Sequence, residues 1–287
     1  MIIDIEGIKV FNRDCVEVMN EIGEGGVDLT VTSPPYDKLR SYNGAVDAWG
    51  EKKWKDVLSG LYGVTKPGGV LVWVVGDSTI EGSETGTSFR QALYAMEVGF
   101  NLHDTMIYKK AGVVYPDTNR YYQMFEYMFV FSKGKPKTTN LISDHLNSKG
   151  GCTLSSGGYR ESDGSIRQSC MVRHGFTREV KEYGVRGNIW EYKAGYNSGS
   201  KDKYIYEHPA TFPEALAHDH IVSWSNEGDI VFDPFLGSGT TAKMAILANR
   251  KVLGTEIDPT YFKIAEQRIY EAYSARRFEK MLRDGAG

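Results

Sequence analysis

Two short apolar runs, each cut off by residues that cannot continue a strand, constrain this chain more than any other feature. Val27-Asp28-Leu29-Thr30-Val31-Thr32 is rich in β-branched residues and stops at Ser33-Pro34-Pro35-Tyr36. Consecutive prolines remove two ladder donors and end the pairing. A second run, Asp229-Ile230-Val231-Phe232-Asp233, stops at Pro234-Phe235-Leu236-Gly237-Ser238-Gly239-Thr240-Thr241. Glycines there allow a tight turn and a close backbone approach to a ligand. Strands that end abruptly in such loops are what open α/β sheets place at their ligand-binding edge.

The rest of the chain fits that architecture. Spacing predicts a helix over 52–65, stopped by Pro67-Gly68-Gly69, and a central strand over 70–75. A helix over 88–98 and strands over 101–109 and 124–132 follow. After residue 205 come a helix (213–225), a strand (229–232), a helix (240–248), a strand (251–256) and a helix (259–275). This alternation predicts an α/β, doubly wound, mainly parallel sheet. The 287 residues allow one large core with a smaller appended region. No apolar run reaches the length of a membrane span. The start, Met-Ile-Ile-Asp-Ile-Glu, lacks the basic and apolar stretches of a secretion signal, and Cys15, Cys152 and Cys170 form no Cys-x-x-Cys pair. A reduced, cytoplasmic setting with no membrane partner is expected.

Between 133 and 205 the texture changes to clusters such as Ser155-Ser156-Gly157-Gly158, with no sustained helical or alternating period. We read 133–205 as an irregular insert in a catalytic domain formed by 1–132 and 206–287. The insert carries 13 Lys and Arg against 7 Asp and Glu, whereas the rest carries 21 against 30. A local phosphate-binding surface and a solvated, partnerless insertion both fit that charge.

The glycine turn is neither Gly-x-Gly-x-x-Gly nor a P-loop, which would need a lysine. Asp233 at the strand end suits a cationic ligand group better than a pyrophosphate. Glu256, closing the next strand, is where a carboxylate accepts from both ribose hydroxyls. Together they point to a nucleoside without phosphates, a description S-adenosylmethionine fits; a mere strand-to-helix turn is the alternative. In the other motif, Pro34 and Pro35 leave the neighbouring carbonyls as acceptors, Ser33 adds a hydroxyl, and Tyr36 offers a ring for stacking. That set suits an amine on a planar ring. The bland alternative is a stiff loop.

The order Ser-Pro-Pro-Tyr early and Asp-Pro-Phe-x-Gly-Ser-Gly-Thr late resembles the beta class of S-adenosylmethionine-dependent DNA amino-methyltransferases, a permuted Rossmann-like methyltransferase fold with an inserted target-recognition region. Asn12-Arg13-Asp14-Cys15 is similar to that family's adenine-binding segment, and Glu207-His208-Pro209-Ala210-Thr211-Phe212 to the segment beside the cofactor's methionine end. The resemblance implies a cofactor set of Asp14, Cys15, His208, Thr211, Phe212, Asp233, Phe235, Gly237, Gly239, Thr240 and Glu256. It implies that Ser33, Pro34, Pro35 and Tyr36 bind the flipped target base. Asp14 has a simpler alternative as a helix N-cap, and His208 as a capping or core histidine. Double-stranded DNA is the implied partner; a homodimer and a cognate restriction endonuclease are further partners such a protein can have.

Serine before Pro-Pro is associated with cytosine N4 and aspartate or asparagine with adenine N6, so Ser33 favours cytosine N4, with adenine N6 as the alternative. C5 methylation is set aside because it needs a cysteine nucleophile, typically in Pro-Cys. The basic insert offers Arg160, Arg167, Arg173, Arg178 and Arg186, with Gln168 and Asn188, for DNA contacts. The loop from Asp37 to Trp49 is a second candidate for recognition, or a lid. Rival readings are a non-catalytic DNA-binding module, methylation of RNA or protein, and a zinc site from His145, Cys152, Cys170 and His174. The spacing of that last set matches no common finger, so no metal is expected.

Overall fold

The two motif-bearing strands are neighbours in the middle of one large sheet. The computed structural model describes residues 1–35, 49–112, 118–148, 150–154, 158–168, 178–193, 200, 202 and 213–285. Along the chain the elements are β1 (Ile2–Ile5), β2 (Ile8–Phe11), α1 (Cys15–Ile22), β3 (Val27–Thr32), α2 (Glu51–Val64), β4 (Thr65–Val75) and α3 (Thr87–Val98). There follow β5 (Asn101–Ala111), β6 (Phe125–Ser132), β7 (Ile189–Lys193), α4 (Glu214–Trp224), β8 (Ile230–Asp233), α5 (Thr240–Leu247), β9 (Lys251–Thr255) and α6 (Pro259–Gly285).

Nine strands form the sheet in the order β1-β2-β9-β8-β3-β4-β6-β5-β7. Five neighbouring pairs are parallel and three, β1/β2, β4/β6 and β5/β6, are antiparallel. All six residues of β3 and the last seven of β4 are buried, as central strands covered on both faces require. Alternation sends Leu71, Trp73 and Val75 into a core shared with α1, α2 and α3. The opposite face carries Met128, which meets His220 of α4, and the α4, α5 and α6 layer. The doubly wound reading therefore holds.

From β3 the chain crosses to β4 on one side, and from β8 it crosses to β9 on the other. Strand order reverses between β3 and β8, and ligands in such sheets bind outside the carboxyl ends at that crevice. The β1–β2 hairpin escaped sequence reading, and helix α1 showed there only as its cap. The β1–β2 hairpin turns on Glu6 and Gly7, both at positive φ (34° and 84°), the geometry of a two-residue primed turn. Helix α1 is capped by Asp14, whose carboxylate accepts from Val16 N at 2.9 Å.

The chain divides into two compact units, 1–140 with 188–287, and 141–187. The second is narrower than the expected 133–205 because β7 pairs in parallel with β5 and belongs to the main sheet. Nor is it irregular. Its described residues form an antiparallel ribbon, with 145–146 paired to 183–184 and 153–154 to 178–179, and a hairpin of 158–160 with 166–168. Bonds from Asn147 N to Glu182 O and from Gly151 N to Val180 O continue the ladder between the short strands. Pairings this short leave no alternating period to read. No helix among the described residues is long and apolar enough to cross a membrane.

Candidate functional site

Parallel pairing of β3 with β8 (Val231 beside Leu29, Phe232 beside Thr30) brings the ends of the two motif strands together. Thr32 Oγ1 donates to Asp233 Oδ1 at 2.6 Å, joining the residue before Ser33-Pro34-Pro35 to the residue before the glycine turn. Asp233 also accepts from Phe235 N at 3.0 Å, and Thr241 from α5 bonds it as well. Burial pushes the Asp233 carboxyl up to about 6, with Thr32, Thr241 and Phe235 opposing. At 2% exposure its carboxylate is spent on protein donors, so it clamps the two loops and does not face a cationic ligand as expected.

The turn itself is fixed almost peptide by peptide. Thr255 Oγ1 donates to Pro234 O at 2.7 Å and Leu236 N to Thr255 O at 2.9 Å. Gly239 N donates to Leu236 O at 2.8 Å, and Gly237 N to Glu256 Oε2 at 2.8 Å. Gly237 and Gly239 have φ of 53° and 82°, left-handed values that a side chain disfavours. A Cβ on Gly239 would also lie 3.1 Å from Ala265 Cα of α6. The glycines are thus required by the turn and by helix packing.

Glu256 uses its second oxygen to accept from Asp258 N at 2.8 Å. Burial pushes its carboxyl up to about 7, aided by the nearby Asp258 and Asp233 charges and opposed by the two backbone donors. Asp14 is the N-cap anticipated above, and its other oxygen pairs with Lys53 Nζ of α2 at 2.5 Å. Cys15 packs its side chain in the core, where burial pushes the thiol up to about 12. Only its backbone is left to meet a ligand. Half-buried Phe235 is held edge-on by Trp49 and Trp73, with ring centroids 5.3 and 6.3 Å away. The Trp49 indole N–H is buried beside it with no acceptor among the described residues. Tyr36, His208, Thr211 and Phe212 lie outside the described residues.

Sequence reading missed Arg268 entirely. This α6 residue is fully buried (0% exposed) and Nη1 donates to Ser238 O and Thr240 Oγ1, each at 3.0 Å. The Thr240 hydroxyl is therefore turned to the back of the turn. Arg268 Nε reaches Asp202 at 2.8 Å and Nη2 reaches Glu214 at 2.5 Å, while Lys243 Nζ bonds the same two carboxylates at 2.7 and 2.9 Å. Burial opposes both carboxylates' charge, yet these partners hold Asp202 and Glu214 below the ordinary range.

In the ribbon unit, Arg186 grips Asp144 through Nε (3.0 Å to Oδ1) and Nη2, so its fork closes the ribbon and is not presented to a base. Asn188 spends its amide on Thr105 O at 3.2 Å in the main sheet. Arg160 is exposed; the side chains of Arg167, Gln168 and Arg178, and all of Arg173, lie outside the described residues. Among the described residues no cluster of His, Cys, Asp and Glu is arranged to hold a metal. Cys170 and His174 are not among them.

The N6/N4 DNA methylase family model matches residues 27–267. The chain belongs to that family and is a DNA methyltransferase of the amino-methyltransferase type. It is 58% identical over 249 residues to the orphan methyltransferase M.BamHII of Bacillus amyloliquefaciens, covering 86% of this chain and 90% of that one. Its identity to the DNA adenine methyltransferase YhdJ of Escherichia coli (strain K12) is 27%, over 98% of this chain and 90% of the other. In fold it is similar to the PvuII cytosine-N4-specific DNA methyltransferase, with a TM-score of 0.65 at 20% identity, over 93% and 92% of the two chains.

Proposed function

We propose that this chain transfers the methyl group of S-adenosylmethionine to the exocyclic amine of a flipped base in duplex DNA, with cytosine N4 as the acceptor. The observation that carries the reading is the Thr32–Asp233 bond, which sets the Ser33-Pro34-Pro35 loop against the glycine turn. The donor set of the turn suits this cofactor. Glu256 is a buried carboxylate whose two oxygens already meet two backbone donors, with lone pairs left for ribose hydroxyls. The turn carries no P-loop lysine for a phosphate, and Arg268 and Lys243 spend their charges behind it on Asp202 and Glu214.

When bound, S-adenosylmethionine supplies a methyl group on a cationic sulfur, open to in-line attack by an amine. Ser33 and the carbonyls beside Pro34 and Pro35 accept from the amine's N–H groups, which concentrates the lone pair on nitrogen. Tyr36 holds the ring by stacking, worth about 1–3 kcal/mol. Glu256, Gly237 and Phe235 hold the nucleoside, with Asp14 at its adenine and His208, Thr211 and Phe212 at its methionine end. A base paired in the stack cannot reach such a crevice, so the target is flipped out.

Ser33 before the prolines supports cytosine. Adenine N6 is the second reading, favoured by the identity to an adenine methyltransferase over nearly the whole chain. For sequence recognition we propose the 141–187 ribbon, since a two-stranded ribbon fits the major groove and arginine reads guanine there. No companion endonuclease is required by this reading; M.BamHII is itself an orphan methyltransferase. Methylating plasmid DNA with purified protein, digesting it and identifying the nucleoside tests the proposal. N4-methylcytosine is expected, and N6-methyladenine would transfer the assignment to the second reading. C5-methylcytosine, or methyl transfer confined to RNA or protein, would overturn both.

A further inference from the structure

We propose that Arg268 is a positioning residue for the cofactor turn. It acts from behind by fixing the Ser238–Gly239 peptide and Thr240, and is itself held by Asp202 and Glu214. The inference rests on the reading that the turn after Asp233 holds S-adenosylmethionine.

The Leu236–Gly237 peptide is fixed at both ends: its carbonyl accepts from Gly239 N and its N–H donates to Glu256. The Ser238–Gly239 peptide, two along, needs the same treatment, because Gly239 at φ 82° has no side chain to restrict it. Its N–H is held by Leu236 O, and its other end, Ser238 O, is held by Arg268 Nη1 at 3.0 Å. The same nitrogen reaches Ser238 Oγ at 3.3 Å and Thr240 Oγ1 at 3.0 Å, so one guanidinium edge spans the start of α5. Ala265, three residues earlier on α6 and so on the same helix face, is the atom group against which Gly239 packs. Helix α6 thus supports the turn by shape at Ala265 and by charge at Arg268.

A fully buried guanidinium is costly unless its charge is matched. Here Nε and Nη2 meet Asp202 and Glu214, Ser200 Oγ lies 3.4 Å from Nη2, and Lys243 of α5 makes the cluster two cations on two carboxylates. Lysine could not replace Arg268. An ammonium on a flexible stem reaches either the Ser238 carbonyl or the carboxylates, whereas the planar fork does both. The carboxylates therefore orient the fork, and the fork orients the peptides that face the ligand.

The test uses Arg268→Gln, Arg268→Lys and Asp202→Asn in the full-length protein, with wild type and Glu256→Ala as references. Melting curves establish folding. Calorimetry gives the Kd for S-adenosylmethionine, and steady-state assays separate KM for the cofactor from kcat. Arg268→Gln should raise Kd and KM at least about 10-fold, with kcat at saturating cofactor within about 2-fold. Arg268→Lys should recover part of the loss, and Asp202→Asn, which leaves Arg268 in place but frees one side of its fork, should weaken binding about 3-fold or more. If Arg268→Gln fails to fold, the other two variants carry the test. Folded Arg268 or Asp202 variants that bind as wild type does, while Glu256→Ala binds weakly, would overturn the positioning role and leave the cofactor site standing. Wild-type binding in Glu256→Ala as well would remove the ribose role of Glu256 and the placing of the cofactor at this turn, and this inference with it.

Discussion

The bond between Thr32 and Asp233 carries the functional reading, so Thr32→Val is the informative perturbation. Valine keeps the shape and removes one hydroxyl at a fully buried position. Asp233 then keeps Phe235 N and Thr241 but loses its 2.6 Å donor. Its carboxyl is already pushed up to about 6, above its ordinary value of 3.8. For an acid raised in this way, the folded state binds the extra proton. Stability is greatest below the unfolded value, falls as pH rises through the folded one, and levels off above it. Losing Thr32 should raise the folded value by about one further pH unit, or ~1.4 kcal/mol. That loss is felt only where Asp233 is ionised in wild type. Near pH 4.5, where the group is protonated in both proteins, the substitution removes a neutral hydrogen bond and costs about 1 kcal/mol. By pH 8 the total should reach ~2–3 kcal/mol. Urea unfolding of both proteins at several pH values measures this difference, and the titration of Glu256 cancels between them. In an Asp233→Asn background the pH-dependent part should vanish. A difference that is flat with pH, or larger in acid, would show that Thr32 does not hold a buried charge.

Other outcomes follow from the same geometry. Glu256→Ala should raise the Kd for S-adenosylmethionine at least about 10-fold by calorimetry, since even one lost charged hydrogen bond is worth about 1.5–3 kcal/mol; unchanged affinity would remove the ribose role. Because burial pushes the Glu256 carboxyl up to about 7 and ribose hydroxyls need an ionised acceptor, affinity should tighten from pH 6 to 8 and level off above. Proton release, read from binding heats in buffers of different ionisation enthalpy, should accompany binding near pH 6.5 and vanish by pH 9. Tyr36→Ala should cut turnover far more than cofactor affinity, and a fluorescent base analogue at the target should brighten less on binding. Exchanging 141–187 for a relative's segment should preserve cofactor binding and change the methylated sequence; retention of the original site would move recognition to 37–49.

Most of the central sheet was legible because burial on both faces leaves a local mark. The strands at 27–32, 70–75 and 251–256 are continuous apolar or β-branched runs with hard stops; the structure places the first and last within a residue of the expectation, and the middle one ends at Val75 as expected but begins five residues earlier, at Thr65. What escaped was structure whose cause lies elsewhere in the chain. Ile189-Trp190-Glu191-Tyr192-Lys193 alternates like a strand and buries Trp190, but it sits in glycine-rich surroundings and is an edge strand only because β5 is there to pair with it. The ribbon of 141–187 is held by pairings of two or three residues and by Arg186 on Asp144, 42 positions apart. Arg268 is the sharpest case: its partners Asp202 and Glu214 stand 66 and 54 positions away, and from sequence it is one charge among many on a long helix.

The order of the motifs along the chain does not matter to the chemistry. A strand's carboxyl end is placed by its neighbours in the sheet, and β3 and β8 are parallel neighbours although 201 positions separate Thr32 from Asp233. Because β3 precedes β8 along the chain, the proposed base-binding loop is built before the proposed cofactor turn. Both loops follow strands that flank the point where strand order reverses, and the turn after β8, the proposed cofactor turn, is bonded by residues of the sheet's other half, Glu256 after β9 and Arg268 on α6. The adenine-side candidate, Asp14, comes from the opposite end of the chain, yet β2 lies beside β9 and brings the two ends together: Asn12 amide Nδ2 donates to Glu256 O at 2.8 Å. Sheet adjacency, not sequence order, assembles the site.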